Sequence, residues 1–427
     1  MIHIFQVVGD PEKYEEKQFR IAGKNYISCL SSDALKKYLA DEGREAKLTL
    51  LVPESLLLKE NIDEFAERIK EKGIGDFEAV VIPSVGEFRV DGRSVEFKTG
   101  VETISTCIFL HLMKVKPEIV YVDVSTGQNI YPLSLLEATR RYLTYRKLER
   151  LLQGVTPVRA FKVFPPPIIK DVYSYPVEIQ PVDVKAFFSL PNADIDNLVP
   201  KVPENFKSRI AEVNKRYSKL KKRVGQITEE LRIAYNAIRL NVPLAFYELL
   251  SMHIPISEIE RGMIGFVEEL AEPVRTETSV ERPVIDGVNV SNVFYSAALY
   301  SSIKEFKNSL NEAEVDEILQ KFSELYRVKN LGVGVNEYFL LRDVEDIKSA
   351  VKNPKVKIEE GKEEILGRIK CGDNFHGSSI NKRNFFAHSG FLQEYTVVKT
   401  VGNKIYVGWL KEKTKEIRNW LLNPDKD

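Results

Sequence analysis

Four short, mainly apolar runs constrain this chain more than any other feature. They are I-H-I-F-Q-V-V at 2–8, K-L-T-L-L-V at 47–52, F-E-A-V-V-I at 77–82 and E-I-V-Y-V-D-V at 118–124. A strand buried on both faces reads as such a run, whereas a strand with one wet face alternates. Helix-length amphipathic stretches fall between them, near 31–43, 57–71, 100–114 and 130–150. Strand and helix in turn predict a parallel sheet wrapped by helices, an α/β Rossmann-like unit. Ser31-Ser32-Asp33 reads as a helix cap, and 86–98, centred on Asp91-Gly92, as a small hairpin. Proline-marked β-rich sequence at 156–190 supplies the last strands of this unit, some of them antiparallel, and Asn192 to Pro203 reads as a linker.

From about residue 204 the character changes to mainly α. Ile210, Val213, Tyr217, Leu220, Val224, Ile227 and Leu231 recur at alternating spacings of three and four, a heptad seam on one long helix. Lys215, Arg216, Lys219, Lys221, Lys222 and Arg223 lie between them; a solvated face is the plain reading and an RNA-tracking surface the sharper one. A polar hairpin insertion is expected at 276–290, then helices at 292–311, 313–327 and 362–370. Two short strands around Gly402-Asn403 and a final helix at 410–422 with Trp409 and Trp420 close the chain. The expected division is a sensor-like unit at 1–190, a helical linker at 191–275 and a third unit at 276–427.

The balance of 62 basic against 62 acidic residues removes any blanket attraction to nucleic acid, so such contacts must be local. No apolar run reaches the length of a membrane span, and Met1 leads straight into a strand, so neither a span nor a signal peptide is expected. Cys29, Cys107 and Cys371 form neither a disulfide framework nor a zinc set, which points to a cytoplasmic protein. Cys371, Asp373 and His376 are close in sequence, yet no second ligand cluster accompanies them and no metal is expected; His376 reads as an exposed loop residue. His111 reads as a core residue of an apolar helix.

Two segments carry chemistry. The first, Y-V-D-V-S-T-G-Q-N-I-Y-P at 121–132, ends a buried strand and opens a helix. Hydroxyls, a glycine and free N–H groups at a helix start suit an anion, and ligands of open parallel sheets collect at the carboxyl ends of strands. Gly9-Asp10-Pro11 follows the first strand in the same way. A plain strand-to-helix turn capped by Ser125 or Asn129 would share this sequence. The D-x-S-T-G-x-N loop together with the glycine loop resembles the CARF domain, the CRISPR-associated Rossmann-like sensor. That resemblance implies a dimer binding one cyclic oligoadenylate, through Gly9, Asp10, Ser125, Thr126, Gly127, Gln128 and Asn129.

The second segment is N-K-R-N-F-F-A-H-S-G at 381–390. Asn384 and His388 are four apart and share a helix face; Arg383 sits ~140° round the axis from His388, within reach of a long side chain. Phe385 and Phe386 would bury the other side, and Ser389-Gly390 would end the helix. An imidazole can move the proton of a 2′-hydroxyl or a leaving 5′-oxygen, and a guanidinium can hold the phosphate. A surface arginine and a helix-end histidine would give the same string. R-N-x-x-x-H in a helical half resembles the HEPN ribonuclease motif, and the pairing with a CARF-like half resembles the Csx/Csm class of type III CRISPR ribonucleases. This implies Arg383 and His388 as catalytic with Asn384 in support, and a composite site shared by two protomers. It also implies single-stranded RNA as substrate, 2′,3′-cyclic phosphate and 5′-hydroxyl ends, and chemistry without a metal cofactor. A cyclic oligoadenylate, expected to be the tetramer, would activate a homodimer or a higher oligomer of it, with the heptad helix as transmitter. A ligand-sensing transcription regulator and a nucleotide-dependent DNase are the alternatives.

Overall fold

A computed structural model of the chain describes residues 1–90, 92–125, 129–155, 158–165, 174–376 and 382–425. The first half runs β1 (Ile2–Val7), β2 (Lys17–Ile21), β3 (Lys24–Ser28), α1 (Ser31–Asp41), β4 (Ala46–Pro53), α2 (Ile62–Glu71), β5 (Phe77–Ile82), β6 (Gly86–Val90), β7 (Arg93–Lys98), α3 (Val101–Val115), β8 (Ile119–Asp123), α4 (Ile130–Glu149), β9 (Arg159–Phe164), β10 (Ser174–Pro176) and β11 (Glu178–Val182). The four apolar runs are β1, β4, β5 and β8. They belong to a six-stranded sheet of order β11-β9-β8-β1-β4-β5, parallel throughout except for β11.

Side chains of β1 alternate between the two faces. Ile2, Ile4 and Val8 pack with α1, α2 and the β2–β3 hairpin, while Phe5 and Val7 pack with α3 and α4. The α3–α4 face is continuous with the core of the second half. The chain leaves β1 toward β4 and β5 on one side and returns to β8 on the other. The order therefore reverses between β1 and β8, which is where a doubly wound sheet opens a crevice.

The second half contains α5 (Lys207–Arg216), α6 (Ser218–Arg239), α7 (Ala245–Glu248), α8 (Ile256–Ala271), β12 (Val274–Arg275), β13 (Ser279–Glu281), α9 (Gly287–Asn308), α10 (Val315–Tyr326), α11 (Val335–Lys352), β14 (Glu363–Ile365), α12 (Leu366–Cys371), α13 (Lys382–Ala387), β15 (Thr396–Val401), β16 (Lys404–Trp409) and α14 (Thr414–Leu422). The polar hairpin expected at 276–290 is β12–β13. It joins β7 and β6 of the first half in one four-stranded sheet, with β13 parallel to β7.

The long heptad helix is two helices, broken at Tyr217. Its seam is buried, but against α8, α9 and α14 of the same chain. Gly262 and Gly265 on α8 leave room for Leu220 and Tyr217. The basic cluster forms the solvated face, with Arg216 paired to Glu269, Lys221 to Asp196 and Arg223 to Glu258. Ser31, Ser32 and Asp33 are not the cap of α1: Leu30 occupies that position without a side-chain bond, and the three polar residues are buried. The helix expected at 362–370 is strand β14 followed by α12, because Glu363–Ile365 pairs with β15. Trp409 ends β16 and does not belong to the last helix.

The two halves meet along α4 and α9. Phe294 of α9 stacks edge-on against Phe109 and Tyr145, and Tyr145 donates to the buried Glu260 of α8, which also pairs with Lys116. Gly287 starts α9 directly on the Arg141–Glu102 ion pair. A Cβ there would lie 2.3 Å from the Arg141 guanidinium, so this close approach requires glycine.

Candidate functional sites

The first site lies at the switch point. Val7 leads into Gly9-Asp10 on one side, and β8 leads into Ser125 on the other. Gln6 and Ser125 tie the two loops together (Nε2 to Oγ, 3.5 Å). Ser32 of α1 donates to Gln6, and Ser31 donates to Asp123, whose other oxygen accepts from the Ser125 backbone N–H at 2.9 Å and from its hydroxyl. Burial pushes the Asp123 carboxyl above its usual range, and the bonds from Ser125 and Ser31 oppose that shift. The backbone N–H of Gly9 donates to the Tyr14 hydroxyl at 2.7 Å, and Asp10 accepts from Arg68 at 3.2 Å. Asn129 begins α4 with helical dihedrals and no side-chain cap bond. Of the seven sequence-expected contacts, Gly9 and Asp10 follow β1, Ser125 follows β8 beside it, and Asn129 opens α4. Thr126, Gly127 and Gln128 lie outside the described residues.

Gln6, Ser31 and Ser32 were not foreseen as part of this site. Their signal is weak but present: Gln6 is a polar residue inside an apolar run, and Ser31 and Ser32 are adjacent hydroxyls at a helix start.

The second site is built on α13. Phe385 faces inward against Trp409 and Trp420 (ring centroids 5.7 and 5.3 Å). Lys382, Arg383 and Asn384 open the helix, and Arg383 and Asn384 are exposed. The helix ends as its sequence implies. The backbone N–H of Gly390 donates to the Phe385 carbonyl at 3.0 Å, Ser389 takes the left-handed conformation (φ 50°), and Gly390 follows at φ 76°. His388 is thereby fixed in the turn that directly follows α13, 55% exposed.

Asn384 and His388 line one cleft of about 180 Å³ with Asp343, Asp346, Lys370 and Glu394; Arg383, on the same helix, is not among its described lining. Behind His388, α11 presents the buried carboxylate of Asp343, with Oδ1 3.7 Å from Nδ1. Its Oδ2 accepts from the Ser389 hydroxyl at 2.6 Å, and that hydroxyl accepts from the Asn241 amide at 2.7 Å. Burial raises the Asp343 carboxyl; the bond from Ser389 and the charges of His388 and Arg342 pull the other way. A non-glycine residue at positive φ costs of order 1 kcal/mol, and Ser389 tolerates it because both ends of its hydroxyl are engaged in the core. Asp343, Asn241 and the role of Ser389 were missed in the sequence. The available signal was Leu340, Val344 and Ile347, a buried stripe into which Asp343 falls three residues after Leu340.

The other histidines lie elsewhere. His376 is exposed, and Asp373 beside it accepts from Arg368 at 2.6 Å. His111 packs edge-on against Phe5. Among the described residues, no group of three or more His, Cys, Asp or Glu side chains is placed to hold a metal ion, and no helix is long and apolar enough to cross a membrane.

A reversed-order Rossmann-like crevice joined to a helical unit with an Arg-Asn…His helix defines a ligand sensor coupled to a nuclease. The chain matches the family described as CRISPR system endoribonuclease Csx1, CARF domain, over residues 3–163, and the corresponding HEPN domain over residues 333–412. The two matches cover more than half of the chain, which belongs to the CRISPR-associated CARF–HEPN ribonucleases. It is accordingly a ligand-sensing endoribonuclease. No curated protein matches it.

Proposed function

We propose that the ligand is a cyclic oligoadenylate, the tetramer first among them, and that it activates metal-independent cleavage of single-stranded RNA. The sensor unit is residues 1–190, the helical linker 191–275 and the ribonuclease unit 276–427. Two copies of the chain bring their crevices together around one ring, whose two-fold symmetry suits an isologous dimer. Gly9, Asp10, Ser125, Thr126, Gly127, Gln128 and Asn129 surround it, with the start of α4 favouring its phosphates.

In the ribonuclease unit the 2′-hydroxyl oxygen attacks the adjacent phosphorus and the bond to the 5′-oxygen breaks. The His388 imidazole takes the 2′-hydroxyl proton, and the imidazolium of the second copy gives a proton to the departing 5′-oxygen. Arg383 holds the phosphate and its extra negative charge, and Asn384 orients the phosphate or the ring. The products carry 2′,3′-cyclic phosphate and 5′-hydroxyl ends. Val335, Tyr338, Phe339 and Leu341 of α11 are exposed apolar residues, and Phe339 lies one turn before Asp343, which supports a second copy packing beside the site.

The observation that carries this reading is Asn384 and His388 on one cleft, backed by a buried carboxylate, inside the HEPN-matched segment. Contact continuity supports a route from sensor to cleft. Helix α4 starts at the sensor loop and packs on α9, α9 packs on α6, and α6 runs into Asn241, which holds Ser389. The heptad helix is thus the last stage of the route and α4 the first. A tenfold activation requires the ring to favour the active arrangement by about 1.4 kcal/mol.

The test is cleavage of a fluorogenic RNA in EDTA, with cyclic oligoadenylates of different ring size. Cleavage is expected with the tetramer, and none in His388→Ala or Arg383→Ala. Undiminished turnover in His388→Ala would remove the catalytic assignment; a requirement for divalent cation would remove the metal-free mechanism.

A further inference from the structure

We propose that Asp343 is the positioning residue of His388: its carboxylate holds the imidazole with the proton on Nδ1, leaving the Nε2 lone pair to take the 2′-hydroxyl proton. This rests on the reading of His388 as the proton-transfer residue. Three observations carry it. Asp343 comes from α11, 45 residues before His388 in sequence, yet its Oδ1 faces Nδ1 at 3.7 Å. At this distance the pair is in ion-pair contact and short of a hydrogen bond, and catalytic hydrogen bonds often close only once substrate is bound. Its other oxygen is fixed by Ser389, and Ser389 by Asn241, so the carboxylate cannot turn away. Asp343 is buried while His388 is exposed, so the pair has an inner, rigid end and an outer, reactive end.

The charged groups around the ring are few. Arg342 lies 3.7 Å from Asp343 Oδ1. Asp346 and Lys370 pair with each other and line the cleft together with Glu394, and Arg383 sits on the helix that His388 follows. Of these carboxylates, Asp343 is the one placed against Nδ1. A carboxylate accepting from Nδ1–H selects that tautomer and stabilises the imidazolium formed when Nε2 takes a proton.

Asp343→Asn tests this with little change of shape. The Asn oxygen keeps the bond from Ser389, which turns the NH2 toward His388. Nδ1 must then accept, and the proton moves to Nε2, where it blocks the base. The expected result is a kcat about 100-fold lower, within the range of general acid–base catalysis, with KM for RNA unchanged. Nitrogen-15 spectra of histidine-labelled protein, with the His388 signal assigned by its loss in His388→Asn, should show Nδ1–H in the wild type and Nε2–H in Asp343→Asn. Wild-type kcat in Asp343→Asn, beside an inactive His388→Ala, would overturn the positioning role alone. Lost activity with an unchanged tautomer would also overturn it, since that is the outcome of a purely structural role. If Asp343→Asn does not fold, the wild-type spectrum still decides: a dominant Nε2–H form sinks the proposal. Full activity in His388→Ala would instead sink the reading beneath it.

Discussion

Arg282, just after β13 on the way into α9, donates to both carboxylate oxygens of Glu54 at 2.8 and 3.1 Å, and both side chains are buried. Glu54 follows β4 at the ligand end of the sensor sheet, so this pair joins the two halves beside the crevice. Arg275 reaches the same carboxylate from outside and is more than half exposed. Removing one partner of a buried pair strands the other charge. Glu54→Gln should therefore lower unfolding free energy by about 3–5 kcal/mol, whereas Arg275→Ala should cost no more than about 1 kcal/mol. Denaturant titration of the two variants measures the contrast, and equal effects would refute it.

Asn129 separates ligand affinity from stability. Its side chain makes no cap bond to α4, so Asn129→Ala should leave the melting temperature unchanged. A lost hydrogen bond to a phosphate is worth about 1.5–3 kcal/mol, so the half-activating concentration of cyclic tetra-adenylate should rise by roughly ten- to a hundredfold. A dose–response curve that coincides with wild type would exclude Asn129 from the ligand.

His3 gives the fold an acid-sensitive term. It is buried on β1, and its pKa is pushed down to about 4 by burial first, then by the positive charges of Lys47 and the chain terminus. The unfolded chain takes up this proton near pH 6.5 and the folded one only near 4. Stability is therefore full above about pH 6.5 and falls as the pH drops toward 4, by up to about 3 kcal/mol. His3→Gln should flatten that slope in urea titrations across this range. An unchanged slope would mean that His3 is protonated in the folded protein.

Gly390 is where helix end and core meet. It lies at φ 76°, and a Cβ would come within 2.8 Å of Val242 and 3.3 Å of Phe385. Gly390→Ala should destabilise by about 1–3 kcal/mol and lower turnover, because the same turn fixes His388. A thermal melt and a cleavage assay on this variant check both effects.

The sheet is legible in the sequence because β1, β4 and β8 are buried on both sides and read as mainly apolar runs, with single polar residues such as Gln6 and Thr49 among them. The β2–β3 hairpin was not recognised, although Phe19 and Ile21 alternate with polar neighbours and Ala22-Gly23 turn at positive φ. Helix α11 was missed for a physical reason. Leu340, Val344 and Ile347 face the core while Val335, Tyr338, Phe339 and Leu341 face outward, so the apolar period is blurred. Asp343 was lost with it. The heptad spacing marks residues that are buried, but it reads as one long helix where the structure has two, and spacing does not say which helix covers the seam; α8, α9 and α14 of the same chain do. The motif at 383–388 was readable as a string; the carboxylate that completes it comes from a distant segment, and no local pattern links the two.

The mixed sheet in which β13 lies against β7 bears on how this protein can be dissected. A truncation ending before residue 274 would strip β7 of its neighbour and bare a row of unpaired amides and carbonyls, a template for intermolecular association. Isolated sensor fragments should thus tend to self-associate or precipitate, and their ligand affinities would describe a damaged object; separating the two activities calls for point substitutions in the intact polypeptide.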